Sequence, residues 1–495
     1  MALSFEGSTT DWATLEGQAN QVARLLIGAG VAPRDRVAFL GKNSADFFLA
    51  MFGVAKAGAC FVPLNWRLSE PELGDVLVDC GATIVIVERD HQDMLQGAES
   101  RSGTNLARIV IDEQATLVAA AADQGTQAPE VWISEDDAAI QLYTSGTTGR
   151  PKGVLLTHGC FNRIRLCEHL EAAYQWHPGD SFLFILPNFH LLGIGLSIQC
   201  LYNGLSLSVQ RRFDPAGALA AITQDRPTLL VLTPTMIQML LDHPDAATTD
   251  FGSLRLTMYA GSPISLGLIK RAIAAMPCQF MQFYGATESA GAISLLRPEE
   301  HDLSNEGKLK SCGRPLPLIA LRIVDDKGNE VPDGQPGELL VRSPAIAQGY
   351  WNNPDATAAA FQDGWYRTGD VALRDAEGLY YIVDRAKDMI VTGGENVYSA
   401  EIEHVLSTHP AVLAVAVIGV PDERWGEAVK AVIVPKAGEE IALAELSAYC
   451  RERLAAYKVP KSFDLVDVLP MTGTGKVSKK DLRARYWGGQ QRSVA

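Results

Sequence analysis

The chain has 495 residues, 47% of them hydrophobic, with a formal net charge of −15 at pH 7 and a pI near 5.1. That length supports several cores, about three folding units on domain-size statistics. The acidic balance excludes a typical nucleic-acid binder, which concentrates positive charge to meet phosphates, and fits a soluble protein instead.

The first residues carry no basic flank followed by an apolar run, so neither a secretory signal nor a transit peptide is expected and the expected location is cytoplasmic. A strand-like segment at 3–6 lies close to the start, which leaves a shortened N-terminal region open. Residues 193–209 are the most apolar glycine-containing region, but Gln199, Asn203 and several serines interrupt it before a bilayer-spanning length. The eight cysteines are scattered singly without metal-ligand spacing, as in a reducing compartment.

Helical periodicity runs from Leu15 through Ala19, Val22 and Leu26, and again from Ser44 through Phe48, Met51 and Ala55. Short apolar runs at 37–40, 60–63 and 83–87 read as buried strands, so α/β layers are expected. The polar, Ala- and Gln-rich stretch 116–130 reads as a loop or connector. The alternation recurs with strands at 228–232 and 254–260 around a helix at 235–242, and 334–350 is β-rich. After Asp384 a last unit has room for a core of its own, with helices at 400–406 and 443–454 and strands at 412–420 and 428–435. The fold class is α/β: a large N-terminal domain, 1–384, of α/β layers with a β-rich subdomain, and a small α+β C-terminal domain, 385–495.

Residues 143–154 read Tyr-Thr-Ser-Gly-Thr-Thr-Gly-Arg-Pro-Lys-Gly-Val. Glycines let backbone N–H groups approach an anion, hydroxyls add donors, and Lys152 adds a compact charge, so the run suits polyphosphate. It is not a Walker loop, because strand-like runs lie on both sides and no helix follows the lysine directly.

This run resembles the adenylate-forming superfamily of acyl-CoA synthetases, adenylation domains and luciferases, and further matches follow in order to residue 476. The resemblance implies that Thr144, Ser145, Gly146, Thr147, Thr148, Gly149 and Lys152 cradle the phosphates of ATP. Tyr284-Gly285-Ala286-Thr287-Glu288 is similar to a segment in which the tyrosine packs on adenine, the threonine meets phosphate and carboxylate, and the glutamate ligates Mg²⁺. Gly261 and Ser262 match a glycine segment under the adenine, and Asp370 and Arg385 match ribose contacts. His190, in Pro-Asn-Phe-His, resembles a movable aromatic wall of the acyl pocket, with Gly193, Gly195 and Gly291 leaving room for a chain.

Lys476 resembles the tail lysine that reaches the α-phosphate, and Lys387 a hinge position about which the small domain moves. Gly394 and Glu395 resemble the segment lining a coenzyme A tunnel, where Ser399 replaces a proline found in many relatives, a difference of little apparent weight. The implied activity is an ATP-dependent acyl-CoA ligase acting on a small-molecule carboxylic acid through an acyl-AMP intermediate. Within the superfamily the run 393–403 resembles bacterial fatty acyl-CoA ligases most, which suggests a medium- or long-chain fatty acid. The alternatives are an aryl-CoA ligase for benzoate- or cinnamate-like acids, a carrier-protein-loading enzyme, and a non-catalytic nucleotide sensor. No nucleic acid or transmembrane segment is expected, and a homodimer is left open.

Overall fold

The computed structural model describes residues 1–144, 151–385, 388–392, 395–422, 424–439, 441–472 and 476–487, apart from the side chain of Asn396. Two large sheets carry most of the chain. The strands Arg36–Leu40, Cys60–Pro63 and Ala82–Glu88 pair in parallel, as continuous apolar runs do when both faces are covered. They belong to a seven-stranded sheet whose far edge is formed by Ala138–Thr144, Lys152–Thr157 and Gly349–Tyr350. The second sheet has nine strands, with Ser181–Phe184, Leu229–Leu232, Leu256–Tyr259 and Gln279–Ala286 in parallel at its centre.

An aromatic relay locks the two sheets together. Phe39 of the first sheet meets Phe47 on the helix Ala45–Lys56, Phe47 meets Phe48, and Phe48 meets Phe184 of the second sheet, each pair with ring centroids 5.3 Å apart and edge-to-face. Burying such rings is worth about 1.5–3 kcal/mol each, enough to fix the crevice between the sheets.

The stretch 116–130 departs from the expected plain connector. Thr116 caps a single helical turn, Leu117–Ala120, whose Leu117 is fully buried. The following carbonyls are tied to the helix Trp12–Gly28, with Asn20 donating to Thr126 O and Arg24 to Gln127 O, both at 2.9 Å. Side-chain amides and a guanidinium thus satisfy backbone groups that have no ladder partner.

A five-stranded sheet follows, including Gly337–Arg342, Trp365–Arg374 and Tyr380–Arg385. From Ile390 on, the described strands pair within a separate sheet built on the long hairpin Val412–Asp422 and Gly426–Pro435, with its own core of Ile390, Ile402, Val417 and Ile433. The protein is therefore a large α/β domain and a smaller C-terminal one. Among the described residues no helix is long and apolar enough to cross a membrane. Seven of the eight cysteines are buried, and Cys278 is half-buried.

The antiparallel hairpin of Gln279–Ala286 and Gly291–Leu296 closes very tightly at Gly285: a Cβ there would lie 2.2 Å from the Gly291 carbonyl oxygen. Gly285→Ala is expected to destabilise the large domain by about 2–3 kcal/mol, because backbone must move to relieve that contact. Urea unfolding followed by near-UV circular dichroism checks this; an unchanged midpoint contradicts it.

Candidate active site

The parallel strands of the nine-stranded sheet end at Leu232, Tyr259 and Ala286, and the crevice outside such carboxyl ends is where open α/β sheets bind ligands. Most of the described site residues gather there. Tyr284 donates its hydroxyl to Asp370 Oδ2 at 2.5 Å, and Arg385 Nε lies 3.0 Å from Asp370 Oδ1. Asp370 is buried on the strand Trp365–Arg374, directly opposite Arg385 in the register. Burial and the Asp370 charge push the Tyr284 hydroxyl well above the ordinary tyrosine value, while Asp370 foremost holds Arg385 above its own. Each carboxylate oxygen has a second lone pair, so Asp370 can still accept from a vicinal diol.

One turn on, Thr287 and Glu288 lie in the short helix Thr287–Ser289, both 8% exposed. Glu288 Oε1 accepts from the Tyr350 hydroxyl at 2.8 Å, and Lys152 Nζ stands 4.9 Å from the centre of the Tyr350 ring. Tyr350 was missed in the sequence: it carries no motif, and only the pairing of Gly349–Tyr350 with Lys152–Thr157 brings it to the glutamate. Tyr366 is buried nearby, and burial first, then the Glu288 charge and more weakly that of Asp370, push its hydroxyl well above the ordinary tyrosine value.

Lys152 opens the strand Lys152–Thr157 and is paired in register with Thr144, so the strand-loop-strand expectation holds at both ends. Ser145, Gly146, Thr147, Thr148 and Gly149, which make up the centre of that loop, lie outside the described residues, as do Lys387 and Gly394. Glu395 is exposed on the strand Glu395–Val397 of the small sheet, apart from this group.

Lys476 comes in from the small domain. A Cβ built on Gly261 would be 4.0 Å from Lys476 Cε, and Gly261 itself turns the chain at φ +91° just after Tyr259, with the half-buried Ser262 next in the turn. His190 precedes the helix Leu191–Tyr202, where its Nδ1 accepts from Leu192 N at 3.2 Å. Accepting at Nδ1 leaves the proton of the neutral ring on Nε2. Burial first, and the Lys476 charge second, lower His190 to about 4.

Two expectations about the acyl side are corrected. A Cβ on Gly193 would lie 2.5 Å from the Pro187 carbonyl oxygen, and one on Gly291 2.9 Å from Ile164 Cγ1. These glycines permit close packing rather than opening space for a chain. The Ser399 difference also has weight: its N–H and hydroxyl both donate to Asp384 Oδ2, at 2.5 and 2.7 Å. Proline could not supply the first bond. Among the described residues no cluster of three or more His, Cys, Asp or Glu could hold a metal by itself.

The chain matches the family model of the AMP-binding enzyme over residues 1–351 and that of the AMP-binding enzyme C-terminal domain over residues 401–476. It is 36% identical to the fatty acid–[acyl-carrier-protein] ligase ScoC of Streptomyces coeruleorubidus, covering 100% of this chain and 95% of that one. It is 39% identical to a feruloyl-CoA synthase of an Amycolatopsis species, covering 98% and 96%. Among solved structures it is similar to ATP-bound MatB from Rhodopseudomonas palustris, with a TM-score of 0.89 and 31% identity over 98% of this chain and 95% of that one.

Because His190 takes up its proton at about 4 in the folded protein, below the ordinary value of ~6.5, the unfolded chain binds that proton more readily between those values. The contribution to stability is complete above ~pH 6.5 and is lost as the pH falls toward 4. His301, lowered to about 4 by burial, adds the same trend. His190→Gln is expected to lose less stability than the parent between pH 7 and pH 5 in denaturant titrations, with the His301 share remaining in both.

Proposed function

The chain belongs to the AMP-binding enzyme family, and from that premise we propose that it converts a carboxylic acid to its coenzyme A thioester in two steps. In the first, the carboxylate attacks the α-phosphorus of ATP and pyrophosphate leaves. In the second, the coenzyme A thiol takes the acyl group and AMP leaves. The relatives named above, a fatty acid–[acyl-carrier-protein] ligase and a feruloyl-CoA synthase, are acid–thiol ligases. The assignment of site residues rests on one observation above all: the approach of Lys476, from the small domain, to Gly261 and His190 at the strand ends of the large one.

A carboxylic acid is already ionised at pH 7, so the first step needs no general base. Its barrier lies in bringing two anions together in line, which positioned cations and donors relieve. We assign that task to the Lys476 ammonium, Thr287, and the hydroxyls and Lys152 of the loop from Thr144 to Lys152. Tyr284 would face the adenine, and Asp370 with Arg385 would hold the ribose hydroxyls. His190, neutral with its Nε2 proton outward, would wall the acyl carbonyl without adding a competing charge. Glu288 fits a Mg²⁺ ligand, a buried carboxylate of the kind that joins phosphate oxygens around this ion, and bound there the metal would neutralise phosphate charge.

The second step requires the small domain to turn, bringing the segment of Gly394 and Glu395 to the site about a hinge at Lys387, with the division between domains at 384/385. An enzyme drawing on ATP and coenzyme A belongs in the cytoplasm. Both a medium- or long-chain fatty acid and an aryl acid suit this reading, since one relative is named for a fatty acid and another for a feruloyl group.

ATP–pyrophosphate exchange across fatty and aromatic acids, followed by a thioester assay with coenzyme A, tests the proposal. Lys476→Ala should lower adenylate formation by roughly 10²- to 10³-fold while leaving thioester formation from added acyl-adenylate largely intact. Equal loss of both steps would overturn the role given to the lysine.

A further inference from the structure

Behind the reacting groups, a pair of opposite charges is buried in an otherwise apolar layer. Arg165 and Glu168 lie on the helix His158–His169, each 5% exposed, with Arg165 Nη2 2.8 Å from Glu168 Oε1. Arg165 Nη1 donates to the carbonyl of Gly195 at 3.2 Å, and Glu168 Oε1 lies 3.8 Å from the point where a Cβ on Gly291 would be. The pair is thus wedged between the helix that starts beside His190 and the hairpin strand that follows Glu288.

Its hydrogen bonding is incomplete. Arg165 Nε and Glu168 Oε2 are buried without a hydrogen-bond partner. The Gln199 amide, 1% exposed, approaches Glu168 closely enough to favour its ionised form as a hydrogen-bond donor, but too poorly aligned for its Nε2 to make a well-formed bond. Burial dominates and raises the Glu168 carboxyl to about 7. Two neighbouring buried carboxylates are met on both oxygens. Glu171, three residues on, takes both arms of Arg297 at 2.9 Å, and Asp180 accepts from Arg255, Thr228 and His177 N. An orphaned buried polar atom costs about 1–3 kcal/mol, and more when charged, so an arrangement with several of them in one place calls for a polar group that completes it.

The position suits the far end of a substrate. With the carboxyl between His190, Lys476 and Thr287, an acid lying along the helix Leu191–Tyr202 would point its far end toward Gly195, whose carbonyl Arg165 holds. Gly195 stands about 7.5 Å beyond His190 at the helical rise, and the Gln199 side chain comes back to Glu168. An arylpropenoic acid with a hydroxyl on its ring is of that length, whereas an alkyl chain would leave these polar atoms unmet.

Resting on the ligase reading above, we propose that the acyl pocket ends on Arg165, Glu168 and Gln199, and that the preferred acid carries a hydrogen-bonding substituent, such as a phenolic hydroxyl, at the end remote from its carboxyl. These three residues would act as specificity determinants for the ligand's distal group.

The test compares 4-hydroxycinnamic, 4-methylcinnamic, cinnamic and octanoic acids by ATP–pyrophosphate exchange, reading kcat/KM for each. The parent enzyme should prefer the hydroxy over the methyl compound by roughly tenfold to hundredfold, the range expected when a buried polar site meets an analogue lacking its partner. Glu168→Leu should bring that ratio to near one, and Glu168→Gln should keep part of it. A ratio taken within one variant is insensitive to a reduced folded fraction, and Gln199→Leu gives the same reading if Glu168→Leu does not fold. A parent ratio near one, a preference for the methyl or octanoic acid, or a ratio unmoved by these substitutions would overturn the inference while the ligase reading stands. Absence of exchange with every acid would overturn the ligase reading itself.

Discussion

The Asp370 carboxylate, clasped by the Tyr284 hydroxyl on one oxygen and Arg385 on the other, is the constraint on which the site depends. It joins three segments far apart in sequence: the end of a parallel strand, the middle of an antiparallel one, and the last strand of the large domain. A charge nearly out of water is tolerated only with such partners, so the clasp holds these three segments in fixed relation at the mouth of the crevice.

The strand end at 384 and 385 serves both domains at once. Adjacent strand residues point to opposite faces, so Arg385 turns to Asp370 while Asp384 turns to Ser399, at the start of the small domain's helix Ser399–Ser407. Ser399 also accepts from Lys479 at 2.6 Å, and Lys479 pairs with Glu403 at 2.7 Å. Three residues before Lys479 stands Lys476. One polar chain therefore runs from Asp370, through the junction at 384 and 385, to the segment that carries Lys476.

Much of this was legible from the residues because local rules dominate there. The strand at 60–63 and the ends of the helix around Phe48 follow from apolar runs, the Ser44 cap and glycine stops. Thr287, Glu288, Asp370 and Lys476 stand out because their short strings resemble the family's motifs in the same order along the chain. What was not legible depends on distant pairing. Leu3–Phe5 lies in parallel beside Ser206–Val209, some two hundred residues away, and Tyr350 reaches Glu288 only through a two-residue strand. The buried pair at Arg165 and Glu168 reads in sequence as an ordinary i, i+3 surface pair, since helix spacing does not say which face is covered. Gly193 and Gly291 misled for a similar reason: a glycine marks missing bulk, and only the neighbours show what fills it.

The burial of the cysteines has a chemical consequence for a catalyst that hands activated acyl groups to sulfur. Removal from water pushes Cys80, Cys167 and Cys450 up to about 11 and Cys60 and Cys312 up to about 12, and raises Cys200 and Cys278 as well. The nucleophile in acyl transfer is the deprotonated sulfur, of which these side chains hold a vanishing fraction at neutral pH. Those seven sulfhydryls are therefore poor acceptors of an activated acyl group, and a visiting thiol competes well against them.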